Sequence, residues 1–388
     1  MSALERWGRN ALAPLLEKIF PVHKTSPEVL RRALETGEIK KILLIRPHQG
    51  LGDLLLASPI FRALKKSYPG AELHFLGDTY NSIAVRDNPH LTRLWSWDKK
   101  AMRSPRRSLS FLKQIRAEHF DLAIVVSSRV PSFTSFLLGR LSGARFLWAY
   151  DTQTFYGGAN WSHYLADVVI PSPPETDPEW IKFMDLIRPL GVEGDYAPEF
   201  GIPETPAAWA RERWRRYPSP SGRWKVGVFL GGNPDRQERL WPAQRWTELV
   251  KELERQPDIF LIAIVPPDSL RSGSGAAELG VYEEVSDRLG KKLPTFADQD
   301  LTRVAAFLQG LDVFVVVDGG LFHMAVASGV RTLGLFFMTD PARWMPPVSW
   351  AAVLRPSDDR PLSLSAEDVS RKVNDMLKLR QPAGTASV

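Results

Sequence analysis

Short apolar runs alternate with amphipathic segments along most of the chain. In the first half, four apolar runs predict buried strands at 41–46, 71–76, 121–127 and 145–149. The segments between them carry apolar positions at helical spacing and predict helices near 54–68, 107–119 and 132–142. This alternation indicates parallel strands joined by crossover helices, which is the arrangement of an α/β domain.

The same alternation begins again in the second half of the chain. Four further apolar runs predict strands at 225–230, 259–265, 312–317 and 331–337. The helices expected with them lie near 242–256, 276–289, 300–309 and 321–328. The two series are separated by a proline-rich stretch at 171–178, a predicted helix near 179–189 and the break PSPSG at 218–222. We therefore expect two α/β lobes with a boundary near 200–222.

Both ends of the chain lie outside this alternation. Segment 3–20 has an apolar stripe at helical spacing flanked by basic residues, and it predicts a helix that lies on a membrane surface or packs on the body. Pro14 interrupts the stripe and favours packing. Near the other end, Ser365 and Asp368 have capping-box spacing and predict a final helix at about 366–379, after which a disordered tail is expected.

Composition limits the class of protein. The chain has 388 residues, of which 44% are hydrophobic and 24% are charged, so it is globular and long enough for two domains. It has no cysteine, which excludes disulfides and thiolate metal sites. Its start is a poor signal peptide and no apolar stretch is long enough to span a membrane, so we expect a cytoplasmic protein.

The net charge of +6 favours anionic partners such as phosphates or an acidic membrane surface. No zinc-finger or basic–aromatic motif is present, so no nucleic-acid partner is expected. One concentration of positive charge is the segment 99–107, which contains Arg103, Arg106 and Arg107. In a loop of the first lobe these side chains could bind an anionic lipid-linked saccharide, although a solvated loop is the plainer interpretation.

The turn after the first strand reads PHQGLGD. Gly50 and Gly52 let the backbone pass close to a ligand, at the sheet edge where parallel α/β sheets bind their ligands. Asp53 has two open interpretations. Its spacing alone favours a helix N-cap, and the alternative is a carboxylate held at the ligand site as a general base. The G-x-G-x-x-G fingerprint of nicotinamide-binding proteins is absent, and Pro59 is expected to kink the following helix.

A second strand-to-helix turn reads DGGLFH and predicts an anion site. Gly319 and Gly320 precede a helix, where free N–H groups and the helix dipole point at a ligand. Asp318 can accept a hydrogen bond from a sugar hydroxyl or fix the loop. His323 is expected on the first helical turn, either close to a bound phosphate or as a structural histidine, and no metal-binding triad surrounds it.

A third glycine-rich strand end, GGNPDRQERLWP, follows strand 225–230. Arg236 and Arg239 lie in it, and guanidinium groups bind diphosphate oxygens through two parallel hydrogen bonds. A solvated charged loop is the alternative interpretation. Trp241 is expected to pack beneath this loop rather than to stack on a base.

In combination, these elements resemble glycosyltransferase family nine, the lipopolysaccharide heptosyltransferases. The first family motif, an Arg-containing strand with Leu-Gly-Asp and a Ser-Pro step, is similar to LLIRPHQGLGDLLLASPIF. The family's Lys-x-Trp-Pro with Arg-Trp resembles RLWPAQRW, and its Asp-Ser/Thr-Gly-x-x-His resembles DGGLFH. LGLFFMTDPARW stands where the family has a Gly-Pro-Thr-Asp-Pro step, so the resemblance spans about residues 41–345.

The resemblance implies a GT-B fold, in which two Rossmann-like lobes with parallel sheets face a central cleft. The lobes are expected to be an acceptor-binding lobe at 41–205 and a nucleotide-sugar-binding lobe at 206–362. A helical extension at 1–40 precedes them, and a C-terminal helix at 363–380 is expected to return to the N-terminal lobe, followed by the disordered tail at 381–388.

The resemblance also implies a function. It is inverting, metal-independent transfer of a heptose-like sugar from a nucleotide-diphosphate sugar, ADP-heptose, to a lipopolysaccharide-core or related envelope glycan, without a cofactor. Asp53 takes the position of the general base, with Gly50, Gly52, Arg103, Arg106 and Arg107 on the acceptor side. The donor-side residues are Arg236, Arg239, Asp318, Gly319, Gly320 and His323. The protein is then expected in the cytoplasm, with a contact to the inner face of the membrane.

The chain departs from the family pattern at three positions. Arg239 replaces the phosphate-binding lysine, Gly319 replaces a serine or threonine, and Met338 replaces a proline. Two other functions stay open beside transfer: a nucleotide-sugar epimerase, and a protein that binds a nucleotide sugar without catalysis.

Overall fold

The structure of the protein is a computed structural model that describes residues 18–47, 50–79, 81–98, 100, 103–128, 133–151, 165–217, 224–231, 239–267 and 274–378. Asn81 and residues 274–279 are described by their backbone alone. Nearly all of the helix predicted at 3–20, Arg236 and the tail at 381–388 lie outside the described residues. The chain divides into two compact units between Pro198 and Glu199.

The first unit contains a six-stranded parallel sheet in the order β3-β2-β1-β4-β5-β6. Its strands are β1 Lys41–Arg46, β2 Glu72–Asp78, β3 Arg93–Trp97, β4 Leu122–Val125, β5 Phe146–Tyr150 and β6 Val168–Ile170. The helices around it are α1 Pro27–Glu35, α2 Leu51–Ala57, α3 Pro59–Ser67, α4 Pro105–Arg116, α5 Phe133–Leu141 and α6 Glu179–Ile187.

The second unit repeats this arrangement with the order β12-β11-β10-β7-β8-β9. Its strands are β7 Trp224–Phe229, β8 Ile259–Ile264, β9 Thr295–Phe296, β10 Val313–Val317, β11 Thr332–Leu335 and β12 Ala351–Leu354. Its helices are α7 Glu204–Trp214, α8 Ala243–Glu254, α9 Ser274–Leu289, α10 Leu301–Leu308, α11 Gly320–Ala327, α12 Pro341–Trp344 and α13 Ala366–Lys378. In each unit the first strand of the series lies in the middle of the sheet, as in a Rossmann fold.

The eight strands predicted from apolar runs are confirmed, because those runs form the centres of the two sheets. β4 and β10 are buried at every position, as expected for strands covered by helices on both faces. The strands β3, β6, β9 and β12 were not predicted. All four are edge strands of their sheets, and in β3 exposed and buried positions mix without a regular alternation.

The helix predicted at 54–68 is divided by Pro59, as expected. α2 ends at Ala57, and α3 begins with Pro59 at its first position, where a missing N–H is tolerated. The intervening Ser58 donates its hydroxyl to the carbonyl of Leu55 at 2.7 Å, which ties the two helices together. α2 is therefore a separate helix of only 7 residues, and it carries Asp53.

The expected return of the C-terminal helix to the N-terminal lobe is wrong. α13 packs on α8 and β10 of the second unit, where its side chains Val369 and Val373 are fully buried in the core. The apolar face of α13 is thus covered within its own unit. The predicted capping box is present, since the backbone N–H of Asp368 donates to the Ser365 hydroxyl at 3.1 Å. Within the described ranges, no helix is both long and apolar enough to cross a membrane.

Strand β2 carries a buried histidine whose neighbour on the adjacent strand β3 is a tryptophan. His74 is 2% exposed, and its Nδ1 accepts a hydrogen bond from Trp95 Nε1 at 3.2 Å. Burial lowers the pKa of His74, and the nearby carboxylates of Glu72 and Glu118 only partly oppose this. The neutral imidazole is therefore the form that the fold accommodates.

We predict that this histidine makes the stability of the first unit pH-dependent. Because the folded pKa lies below the unfolded value, the stabilising contribution is complete above the unfolded pKa and is lost as pH falls through the folded pKa. The slope is at most about 1.4 kcal/mol per pH unit. Urea unfolding between pH 7.5 and pH 5.5 (roughly one unit either side of the usual histidine pKa of about 6.5) should show a smaller pH dependence for His74→Phe than for the wild type. Equal slopes would show that His74 does not contribute.

Candidate active site

Each sheet has a topological switch point, where the chain leaves a central strand toward one side and later fills the other side. In the first unit this point lies between β1 and β4, and in the second unit between β7 and β10. The crevice outside the carboxyl ends of two such strands is the usual ligand site of an open α/β sheet. Most of the predicted site residues that the structure describes follow one of these strands directly.

Arg46 is the last residue of β1, and its side chain closes the switch point of the first unit. The guanidinium is almost completely buried, with its side chain 8% exposed. Its Nη1 donates to the carbonyl of Val126, just beyond β4, at 3.2 Å, and its Nη2 donates to Asp53 Oδ2 at 3.0 Å. Burial lowers the pKa of Arg46, while the negative charge of Asp53 opposes that shift.

Asp53 is the third residue of α2, and the N-cap interpretation of this residue is wrong. The N-cap position is Gly50, and no side chain caps this helix. The Asp53 carboxylate instead pairs with Arg46 through Oδ2 and is one-third exposed, at 33%. Among the described residues the structure shows no hydrogen bond to the other oxygen, Oδ1. The carboxylate is therefore fixed at one oxygen and accessible to solvent.

The glycines of this turn differ in their importance. Gly50 has φ +139°, a region that L-residues rarely adopt, and a Cβ added there would lie 3.0 Å from Asp53 Oδ2. Gly50 thus permits both the backbone turn and the position of the carboxylate. Gly52 is the second residue of α2 and is partly exposed.

In the second unit, the switch point brings together Arg239, after β7, and Asp318, after β10. Arg239 Nη1 lies 3.6 Å from Asp318 Oδ2, and the two side chains are 30% and 9% exposed. The backbone N–H of Asp318 donates to the carbonyl of Leu335 on β11 at 3.0 Å, which fixes the carboxylate at the strand end. The two residues are far apart along the chain, so only the fold places this pair.

Gly319 and Gly320 form the beginning of α11, as predicted. Gly319 is the N-cap with an extended backbone, and Gly320 is the first helical residue, so the free N–H groups of the helix start directly beyond Asp318. His323 lies on the first turn of α11 and is only 4% exposed. Its ring centroid is 6.5 Å from that of Trp344, a partly buried residue that the sequence did not single out.

The remaining predictions have mixed outcomes. Trp241 is buried in the core of the second unit, with its ring centroid 4.8 Å from that of Trp246. Arg106 and Arg107 lie in the first turn of α4 rather than in a loop, because that helix begins at Pro105. With Arg103 they are exposed, and none of the three side chains forms a hydrogen bond or ion pair within the described residues. In the part of the chain that the structure describes, no cluster of His, Asp or Glu side chains could hold a metal ion.

Solved structures with this arrangement define the class of the fold. A glycosyltransferase of family 9 from Veillonella parvula matches 87% of this chain and 97% of its own, with a TM-score of 0.70 and 18% identity. The Escherichia coli heptosyltransferase WaaC with ADP matches 87% of this chain and 99% of its own, with a TM-score of 0.66 and 17% identity. The two units therefore form a GT-B fold.

The family follows from the sequence. The family model for glycosyltransferase family 9 (heptosyltransferase) matches residues 108–363, and the chain belongs to this family. Lipopolysaccharide heptosyltransferase 3 of Escherichia coli is 23% identical over 302 residues, which cover 76% of this chain and 83% of that protein. The protein is accordingly a glycosyltransferase, as the motifs predicted.

The departure at Gly319 leads to a prediction about the donor side. A Cβ at Gly319 would meet nothing within 4 Å, and its backbone is extended, so Gly319→Ser should fold without strain. A serine N-cap should add a few tenths of a kcal/mol of stability relative to glycine, and its hydroxyl should tighten ADP binding. Thermal shift with and without ADP measures both effects. Gly310→Ser is the contrasting control, because its Cβ would lie 2.1 Å from Trp214 Nε1. Weaker ADP binding by Gly319→Ser would contradict the prediction.

A second prediction concerns the turn that positions Asp53. Gly50→Ala should cost about 1–3 kcal/mol of backbone strain and displace the carboxylate, so that turnover falls by at least roughly tenfold. The matched control is Gly37→Ala, which also has positive φ but would meet nothing within 4 Å. Urea unfolding should show a loss of stability in both variants, whereas turnover should fall only in Gly50→Ala. Full activity of Gly50→Ala would exclude a role for this turn in placing the carboxylate.

Proposed function

We propose that the protein is an inverting glycosyltransferase that transfers a heptose-like sugar from ADP-heptose to a lipopolysaccharide-core or related envelope glycan, with Asp53 as general base. The observation that carries the assignment of the base is the carboxylate of Asp53, which is held by Arg46 through one oxygen at the switch point of the first unit and is one-third exposed. Membership of the family supports the reaction class.

The chemistry of inverting transfer fits a carboxylate held in this way. As the acceptor hydroxyl attacks the anomeric carbon, its proton passes to Oδ1 of Asp53, and the bond between the sugar and the diphosphate breaks. The released nucleotide diphosphate takes the bonding electrons with it. General-base assistance of this kind contributes typically ~10²–10⁴-fold to a rate.

The donor side is assigned to the switch point of the second unit. The leaving diphosphate carries negative charge, which the guanidinium of Arg239 and the N–H groups at the start of α11 can stabilise. Asp318 keeps Arg239 in place with an ion pair that is looser than a hydrogen bond, so the guanidinium stays available to phosphate oxygens. His323, on the first turn of the same helix, and Arg236 complete the proposed donor set.

The acceptor side is assigned to Arg103, Arg106 and Arg107. These exposed basic side chains lie at and just before the start of α4 in the first unit, and an anionic glycolipid offers complementary charge. A contact with the inner face of the cytoplasmic membrane would bring the same surface to such an acceptor. The name of the Escherichia coli relative, lipopolysaccharide heptosyltransferase 3, supports an acceptor of this type.

The two alternative functions differ from transfer in their products. A sugar epimerase would isomerise the nucleotide sugar without an acceptor, and a binding protein would leave it unchanged. Incubation with ADP-heptose and a panel of core-truncated lipopolysaccharides separates the three, because only transfer gives both a glycosylated acceptor and free ADP. Family membership favours transfer.

We predict that Asp53→Asn loses turnover by roughly 10²-fold or more, because the amide cannot accept the proton of the acceptor hydroxyl. Its affinity for ADP should be unchanged, since the proposed donor residues belong to the second unit. ADP release and mass spectrometry of the acceptor measure turnover, and calorimetry measures affinity. The control is Asp195→Asn, an exposed carboxylate of the first unit that pairs with Arg62. If Asp53→Asn keeps more than a tenth of wild-type turnover, Asp53 is not the base.

A further inference from the structure

Helix α6 carries two charged side chains in a buried position. Glu179 is 0% exposed and Lys182 is 2% exposed, and their carboxylate and ammonium groups are 3.3 Å apart. The helix is fixed to the sheet, because Tyr150 Oη donates to the carbonyl of Lys182 at 2.6 Å. Buried charges are costly unless they are compensated. The transfer step proposed above uses neither of these two residues.

The same helix lies against the elements that hold Asp53. α6 packs on α2, and the Arg46 guanidinium carbon lies 5.3 Å from the centre of the Phe183 ring. Glu179 precedes Phe183 by four residues and therefore lies on the same face of α6, one turn toward its N-terminus. The negative charges of Asp53 and Glu179 both oppose the lowering of the Arg46 pKa by burial. Glu179 thus lies one helical turn from the side chain that contacts Arg46, and it brings a second negative charge toward the guanidinium from a different helix.

Arg46 binds only one of the two oxygens of Asp53. An arginine facing a single carboxylate tends to bind both oxygens through two parallel hydrogen bonds. Such a pair would occupy Oδ1, the oxygen that the proposed mechanism needs for the proton. The Val126 carbonyl occupies Nη1 of the guanidinium, and the charge of Glu179 on α6 is a second attraction that can hold the guanidinium out of that arrangement.

We propose that Glu179 is a positioning residue for Asp53 that acts through Arg46, by holding the guanidinium so that it binds Oδ2 of Asp53 and leaves Oδ1 open. This inference rests on the proposed role of Asp53 as general base. Lys182 compensates the charge of Glu179, so that the four side chains Arg46, Asp53, Glu179 and Lys182 together are neutral. The buried pair on α6 is then part of the catalytic arrangement without touching a substrate.

The test compares Glu179→Gln, which keeps the shape of the side chain, with the wild type. We expect kcat with ADP-heptose and a core-truncated lipopolysaccharide to fall roughly tenfold, while the KM for ADP-heptose stays within about twofold, since the donor residues are not affected. A crystal structure of the variant should show Arg46 bound to both oxygens of Asp53. A single contact in the variant together with wild-type kcat would overturn the proposal.

Two further variants separate positioning from stability. Glu179→Gln leaves Lys182 without its buried partner, so Glu179→Gln/Lys182→Met restores the charge balance of α6. We expect this double variant to regain thermal stability but not kcat, and recovery of both would show that Glu179 only compensates Lys182. Asp167→Asn is the matched control, because it breaks another buried ion pair of this unit, with Arg140 at 2.9 Å, and should lower stability but not kcat.

The structural arm also distinguishes failure of this inference from failure of the proposed function. If Asp53→Asn retains turnover, the base assignment is wrong. The kcat of Glu179→Gln then no longer reports on the position of a catalytic carboxylate. The number of hydrogen bonds between Arg46 and Asp53 in crystals of Glu179→Gln still decides whether Glu179 controls that contact.

Discussion

The buried guanidinium of Arg46 is the interaction on which the first unit's site depends. It joins the end of β1 to the end of β4 through the Val126 carbonyl, and it joins both strands to α2 through Asp53. A cation that is removed from water in this way needs negative partners, and each partner is fixed in turn by the cation. The position of the carboxylate therefore depends on the sheet edge as well as on the backbone of Gly50.

The switch point of the second unit holds a comparable ion pair. There too an arginine and an aspartate meet where the order of strands reverses, but the arginine is more exposed and the contact is longer. In the first unit the guanidinium is the buried partner and the carboxylate is one-third exposed, which suits the base that we propose for Asp53. In the second unit the carboxylate is buried and the guanidinium is 30% exposed, which suits the proposed contact of Arg239 with phosphate oxygens. The two pairs thus differ in which charge faces the solvent.

The sequence allowed the centres of both sheets to be predicted, because central parallel strands must be continuously apolar. It did not reveal outer strands such as β3 and β9, which are short or mix exposed and buried positions. Spacing alone suggested that Asp53 caps a helix. The helix instead begins at Leu51 after the N-cap Gly50, whose unusual backbone leaves no clear signal in the sequence. The contact between Arg239 and Asp318 depends on strand order, and the role that we propose for α6 depends on packing. Neither is visible in local patterns.

The position of α13 has a practical consequence for protein engineering. Because this helix closes the core of the second unit with residues such as Val369 and Val373, that unit contains all of its own covering elements after the division between Pro198 and Glu199. A hybrid between two members of the family therefore needs only one junction. The first unit of one enzyme can be fused to the second unit of another without exchanging a segment at the C-terminus.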